Sequence, residues 1–219
     1  MTTPRQPLKG SPATTTLKSR ATDPRRPLND SPATATQESR ATYLPGPAQG
    51  AQVLKDGDNY WTLVLVRDLR HAPEKVWRAI TDPAHLREWA PFDADGNLGD
   101  PGATVNLSTV GSPTPHVSET KVTRADPPNV LEYTWGEFQT RWELEATARG
   151  TRLKLWTRID RRYIAMGAAG WHIAFDVLEH LLDDDPIGRI TGPDAMKFEG
   201  WQRLAKEYAR QFTEDTSGE

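Results

Sequence analysis

Hydrophobic and polar positions alternate after residue 50 in a way that predicts a series of β-strands. The pattern favours extended segments at residues 52–54, 60–69, 104–110, 116–125, 130–136, 138–148 and 151–160. In the last three segments the apolar residues fall on one face and charged residues on the other, as in Leu131, Tyr133 and Trp135. One apolar face and one solvent-exposed polar face are typical of an antiparallel sheet, so we predict a meander of antiparallel strands.

Helical periodicity predicts four helices around this meander. Residues 72–80 begin with Ala72-Pro73-Glu74, which places a proline and an acid in a first helical turn. A short helix follows at 84–88, and apolar residues recur at helical spacing over 167–182 and 194–212. The apolar face of the sheet must be buried against another element. We therefore predict an α+β fold in which a curved antiparallel sheet wraps around the long helix at 167–182.

The first fifty residues contain a tandem repeat of different composition. Residues 4–22 (PRQPLKGSPATTTLKSRAT) align without gaps with residues 24–42 (PRRPLNDSPATATQESRAT), a period of 20 residues. Leu8, Leu17 and Leu28 are the only large apolar side chains in both copies, too few to offset an ordering cost of about 1–2 kcal/mol per residue. We therefore predict a disordered tail at 1–50, a folded domain at 51–213 and a disordered C-terminus at 214–219.

The tail allows two interpretations. Ser11-Pro12 and Ser31-Pro32 are small, repeated pairs that would suit a phosphorylation or docking segment for a protein partner. The alternative is an inert, duplicated extension.

Composition narrows the range of functions. A formal net charge of −3 argues against a general nucleic-acid-binding domain, and the lack of cysteine excludes disulfides and thiolate metal sites. No apolar run reaches the roughly 18 residues of a membrane span, and the N-terminus lacks the apolar segment of a secretory signal. The expected location is the cytoplasm.

Three segments of the folded part resemble one known family. Residues 67–89 (RDLRHAPEKVWRAITDPAHLREW) resemble the opening of START-like (SRPBCC) proteins, and more narrowly the family named after the C-terminal domain of the activator of the heat-shock-protein-ninety ATPase. Residues 168–182 (AAGWHIAFDVLEHLL) are similar to that family's long helix, and residues 200–208 (GWQRLAKEY) to its closing segment. The resemblance implies a helix-grip fold with a cavity between the sheet and the long helix.

Several aromatic side chains are predicted to project between the sheet and the long helix. They are Trp77, Trp89, Tyr133, Trp135, Trp142, Trp171 and Phe175. Such residues fit either a filled core or the wall of an apolar pocket, and both interpretations stay open. If there is a pocket, its candidate polar groups are Glu119, Arg141, His172 and Asp176.

The sequence predicts neither a metal site nor a cofactor. His172, Asp176 and His180 share a helical face, but the spacing matches no HExxH-type zinc motif, so we expect a solvated polar face. Residues 183–185 are acidic but lack the spacing of a calcium loop. Glycine-rich phosphate and dinucleotide fingerprints are also missing from the sequence.

Three functional hypotheses follow. The first is a binding module that holds a small hydrophobic or aromatic molecule between the sheet and the long helix. The second is a cofactor-free enzyme of the cyclase or aromatase type, with an acid–base pair drawn from Glu119, His172 and Asp176. The third is a co-chaperone-like interaction module, although the repeated tail stands where such activators carry a second, chaperone-binding domain. The sequence leaves open whether the protein is an enzyme.

Overall fold

Two antiparallel sheets organise the described part of the chain. The computed structural model describes residues 40, 42–111, 114 and 116–214. The strands are β1 (Ala51–Leu54), β2 (Tyr60–Leu69), β3 (Phe92–Ala94), β4 (Thr104–Thr109), β5 (Val117–Lys121), β6 (Arg124–Asp126), β7 (Val130–Trp135), β8 (Phe138–Thr147) and β9 (Gly150–Asp160). The larger sheet has the order β1-β2-β9-β8-β7-β6, and the smaller has the order β3-β4-β5.

Helices flank the sheets in the described part of the chain. They are α1 (Pro73–Thr81), α2 (Pro83–Trp89), α3 (Ile164–Leu182), α4 (Gly192–Lys197) and α5 (Glu199–Glu214), and a short 3₁₀ turn at Arg161–Tyr163 precedes α3. Pro73 opens α1, and the Asp82 side chain caps α2 by accepting a hydrogen bond from the Ala84 amide at 2.8 Å. Pro73 and Asp82 therefore mark the starts of α1 and α2 in the structure, as the sequence predicts.

The inner face of the larger sheet carries the predicted apolar rows. Leu65 on β2, Leu155 on β9, Trp142 on β8 and Leu131 on β7 are successive cross-strand partners, and all four are buried. Helix α3 lies against this face. The predicted helix-grip architecture, an α+β fold with a sheet wrapped on a long helix, is confirmed.

The sheet departs from the predicted meander at one strand. The segment predicted as a single strand at 116–125 is divided into β5 and β6, which belong to different sheets. The exchange occurs at two residues: the Val122 amide donates to the Ala103 carbonyl, and the Thr123 amide donates to the Glu132 carbonyl, each at 2.9 Å. The loop predicted around residues 91–102 also contains β3, which supplies the edge of the smaller sheet.

The C-terminal region adds a second layer over α3. The helix predicted at 194–212 is divided at Phe198 into α4 and α5. Helix α5 packs against α3 and buries Leu204, Tyr208 and Phe212. Helix α3 is thus covered on the sheet side and on the α5 side.

The segment just before β1 also contacts the folded part. The Arg40 guanidinium donates to the Arg189 carbonyl at 2.9 Å, and Arg203 on α5 donates to the Gly46 carbonyl at 2.9 Å. Described contacts therefore begin at residue 40, within the predicted tail. Apart from Arg40 and Thr42, the two repeats lie outside the described residues, as do residues 215–219.

Among the described helices, none has the length and apolar character needed to cross a membrane.

Trp89 is a test of the aromatic core. Its side chain is 0% exposed, its indole nitrogen donates to the Ala79 carbonyl at 2.9 Å, and its ring meets Trp142 edge-to-face at 6.1 Å. We expect Trp89→Ala to lower the free energy of unfolding by about 3–5 kcal/mol, because it leaves a cavity. Equilibrium urea unfolding measures this loss. The exposed neighbour Arg87 is the control, since Arg87→Ala should change the value by about 0.5 kcal/mol or less. An equally small loss for Trp89→Ala would contradict the buried placement.

Candidate functional site

A cavity of about 600 Å³ lies between the end of the larger sheet and the first half of α3. Its sheet wall consists of Trp135, Phe138, Thr157 and Ile159, which come from β7, β8 and β9. Trp135 and Phe138 are cross-strand partners beside the β7–β8 turn, so the hairpin holds both rings at one end of the sheet. The wall is therefore built on paired strands.

The helix wall of the cavity includes three small residues. Met166, Gly167, Gly170, Trp171 and Ala174 line the cavity from α3. Glycine inside a helix costs about 1 kcal/mol relative to alanine, so two glycines here need another reason. A Cβ at residue 167 would come within 2.6 Å of Ile159, whereas a Cβ at residue 170 would have no heavy atom within 4 Å beyond its own helix. Gly167 permits close packing on the sheet, and Gly170 leaves open space.

The third wall comes from the segment between α3 and α5 and from the first turn of α5. Ile190, Ala195, Met196 and Trp201 border the cavity from this side. The segment approaches the β4–β5 turn closely at Gly192, where a Cβ would lie 2.8 Å from the Gly111 Cα. Both glycines have positive φ, so the approach depends on their lack of a side chain. This contact fixes the covering segment beside the cavity.

Few polar groups border the cavity, and the charged ones belong to β9. Arg158 lies with its guanidinium 5.9 Å from the centre of the Tyr60 ring. Asp160 accepts hydrogen bonds from Arg162, which lower the pKa of that carboxyl. Both residues stand where β9 ends. The arrangement therefore has an apolar interior and charged groups at one side.

The predicted aromatic residues gather into one cluster, most of which is core. Its members are Trp89, Tyr133, Trp135, Trp142, Trp171 and Phe175. Only Trp135 and Trp171 among them border the cavity, with ring centres 6.0 Å apart. Trp77 is also buried, on α1, near Gly99. The aromatic set is thus mostly core, and Trp135 and Trp171 continue this core into the wall of the cavity.

Two of the predicted polar residues lie away from the cavity. Glu119 is exposed on β5. Arg141 lies on the outer face of β8, where it forms ion pairs with Glu132 and with Glu143, the latter at 2.5 Å. Neither side chain borders the cavity.

His172 and Asp176 form a buried polar network instead of the expected solvated face. Asp176 accepts a hydrogen bond from Arg67 and another from Tyr43, each at 2.7 Å. His172 is 1% exposed, and its Nδ1 lies 2.7 Å from the hydroxyl of Tyr208 on α5. The expectation of an outer polar face was wrong at these two positions, because α5 and the segment before β1 cover them. Neither residue borders the cavity.

Burial sets the protonation states in this network. It lowers the pKa of His172, partly opposed by the charge of Asp176, and keeps the ring neutral. Burial raises the pKa of Tyr208 to about 12, and burial together with Asp176 raises that of Tyr43. The Asp176 carboxylate is balanced by Arg67. The network therefore consists of one ion pair, Arg67–Asp176, with neutral side chains around it. Such a network stabilises the packing of α3.

Within the described residues, no three His, Asp or Glu side chains lie close enough together to hold a metal ion.

Much of the cavity lining was not among the residues that the sequence pattern predicted for a site. Phe138, Tyr163, Met166, Met196 and Trp201 border it but were not candidates. Periodicity does not distinguish a lining residue from a core residue, because both are apolar. The usable signal was the glycine pair in α3, since two glycines in a long helix indicate close approach or open space.

The fold and the cavity define this chain as a helix-grip protein. The family model described as "Activator of Hsp90 ATPase homolog 1-like protein" matches residues 70–183. The chain belongs to this family, as its resemblance in three segments indicated. No curated protein shows significant similarity to the chain.

Solved structures share the fold at low identity. A conserved protein of unknown function from Enterococcus faecalis has a TM-score of 0.54 and 16% identity, over 81% of this chain and 95% of that one. CalU16 from Micromonospora echinospora has a TM-score of 0.50 and 20% identity, over 77% of this chain and 98% of that one. A Staphylococcus saprophyticus protein has a TM-score of 0.51 and 17% identity, over 60% of this chain and 98% of that one. These likenesses establish the fold.

The buried histidine makes stability depend on pH. Because the pKa of His172 is lowered from 6.5 in the folded protein, the unfolded chain binds more protons once the pH falls through that value. This group therefore destabilises the fold increasingly from about pH 6.5 down to its lowered pKa. We expect His172→Asn to reduce the drop in Tm between about pH 7.5 and about pH 5.5, measured by thermal unfolding. An equal drop in both proteins would contradict a neutral His172.

Proposed function

We propose that the protein binds a small hydrophobic or aromatic molecule in the cavity between the sheet and α3. The observation that carries this proposal is the cavity itself, whose volume of about 600 Å³ lies within the usual range for small-molecule sites of about 300–1,000 Å³. Its walls are mostly aromatic and aliphatic. Apolar walls with a few polar groups favour ligands that gain affinity from burial of apolar surface.

The helix wall favours a flat ligand. At Gly170 the backbone of α3 is uncovered toward the cavity, so a planar ring can approach it closely. Trp135 and Trp171 present aromatic surfaces next to this position, and aromatic pairs gain about 0.5–1.5 kcal/mol beyond area burial. These features support an aromatic ligand more strongly than a flexible acyl chain.

The alternative hypotheses have less support. A cyclase or aromatase with an acid–base pair from Glu119, His172 and Asp176 needs two of these groups at the ligand, and none of the three borders the cavity. A protein partner bound through the repeated tail depends on residues that lie mostly outside the described part of the chain. We therefore advance only the binding role.

Native mass spectrometry of the full chain, purified gently from its host, tests for a resident ligand. We expect an adduct of a few hundred daltons that is lost when the protein is denatured. Its mass would identify the occupant. An apo mass alone, together with no thermal shift by any of a broad set of aromatic compounds, would contradict the proposal.

Filling the cavity tests its location. N-phenyl-1-naphthylamine, a neutral probe whose fluorescence rises in apolar surroundings, should bind the wild-type protein. We expect Gly170→Leu to abolish this rise, because the new side chain enters the open space beside residue 170. The readout is a fluorescence titration, with circular dichroism to establish that the variant is folded.

Gly170→Ala is the matched control for this substitution. It adds one methyl group and favours the helix by about 1 kcal/mol, so it should keep most of the probe binding and raise Tm. If a folded Gly170→Leu protein binds the probe as the wild type does, the ligand does not occupy this cavity.

A further inference from the structure

Two threonines interrupt an otherwise apolar row on the inner face of the sheet. Leu63, Thr157, Thr140 and Tyr133 are successive cross-strand partners on β2, β9, β8 and β7. Thr157 borders the cavity and is 4% exposed, while Thr140 is 0% exposed. The two threonines are therefore neighbours in one row of the sheet, and of the two Thr157 borders the cavity.

The Thr140 hydroxyl has no hydrogen-bond partner among the described residues. Among the other buried threonines, Thr81, Thr120 and Thr151 are paired. Thr151 on β9 donates to the His71 carbonyl at 2.6 Å, and Thr81 donates to the Trp77 carbonyl at 2.8 Å. A buried hydroxyl without a partner is costly, and valine would fill the same volume without that cost. Stability of the folded protein alone therefore does not explain why residue 140 is threonine and not valine.

Thr140 does not line the cavity itself, but two of its neighbours in the sheet do. Its cross-strand partner Thr157 borders the cavity, and so does Phe138, the next residue on the same face of β8. The row behind it consists of Trp142 and Leu155, which are buried core residues. Thr140 and Thr157 thus mark the place where the cavity ends and the core begins.

The charges near Thr140 and Thr157 limit which ligand groups can lie beside these two residues. The flanking members of the row, Leu63 and Tyr133, are uncharged, and the Tyr133 hydroxyl already accepts a hydrogen bond from Trp142 at 3.2 Å. Arg158 and Asp160 border the cavity from the end of β9. A carboxylate at the threonine pair would be buried without a cation beside it, whereas a ketone or hydroxyl oxygen would be satisfied by a hydroxyl.

We propose that Thr140 and Thr157 form a polar subsite that hydrogen-bonds one uncharged oxygen, a ketone or hydroxyl, at the inner end of an otherwise apolar ligand. This inference rests on the proposed ligand-binding function and narrows its ligand class to neutral, oxygen-bearing aromatic molecules. The Thr157 and Thr140 hydroxyls can donate to a ketone or accept from an alcohol. The remaining walls contact the ring system.

Three probes with one ring skeleton test the subsite. Fluorene carries no polar group, 9-fluorenone carries a ketone and 9-fluorenol carries a hydroxyl. Quenching of tryptophan fluorescence in the full-length protein measures their binding. We expect 9-fluorenone and 9-fluorenol to bind about tenfold more tightly than fluorene, the effect of one net hydrogen bond.

Valine substitutions separate this role from a structural one. Thr140→Val and Thr157→Val should remove the preference for the two oxygen-bearing probes over fluorene. Because the Thr140 hydroxyl has no partner among the described residues, Thr140→Val should not lower Tm. Thr151→Val is the control: it breaks the bond to the His71 carbonyl, so it should lower Tm and keep the preference.

The outcomes distinguish the subsite from the binding function. Equal affinities for all three probes in the wild type, or a preference that survives in the double variant Thr140→Val/Thr157→Val, would overturn the subsite and leave the cavity as the binding site. If no probe binds the wild-type protein and none shifts its Tm, both the binding function and the subsite are contradicted.

Discussion

The burial of α3 on two sides is the constraint on which the rest of the structure depends. One side contacts the apolar rows of the sheet, but the other carries His172 and Asp176, which a second apolar layer would leave unpaired. Arg67, Tyr43 and Tyr208 supply their partners. Since breaking one member of a buried charge pair is strongly destabilising, α5 and the segment before β1 must dock in one register. A polar network thus fixes the second layer of a fold whose first layer is apolar.

The same helix explains why a cavity exists in its first half. Beyond Trp171 the helix presents large side chains such as Phe175 and Leu178, and the space between helix and sheet is filled. Before Trp171 it presents Met166, Gly167 and Gly170, and the helix wall recedes at the two glycines while the sheet continues to Ile159. The segment between α3 and α5 covers this space from the side and does not fill it. Side-chain size along one helix therefore divides the interior into a core and a cavity.

The sequence pattern predicted the secondary structure and its layers better than the tertiary contacts of individual side chains. Alternation and helical spacing identified most of the strands, α3 and the aromatic cluster, because these depend on the residues nearby in the chain. The partners of His172 were not predictable in this way, since Tyr208 is 36 residues away on another helix. Nor did periodicity separate Trp142, a core residue, from Trp171, a cavity residue, because both occupy apolar positions that face the same interior.

Continuity between core and cavity has a physical consequence for binding. Trp171 contacts Trp142 edge-to-face in the core, with ring centres 5.7 Å apart, and contacts Trp135 in the cavity wall. The core therefore fixes the orientation of both wall rings before any ligand arrives. A wall that is already ordered loses little conformational entropy on binding, and each immobilised side chain otherwise costs about 0.5–1.5 kcal/mol. The tryptophans that stabilise the fold thereby also preorganise the site, which explains why so many lie in one connected cluster.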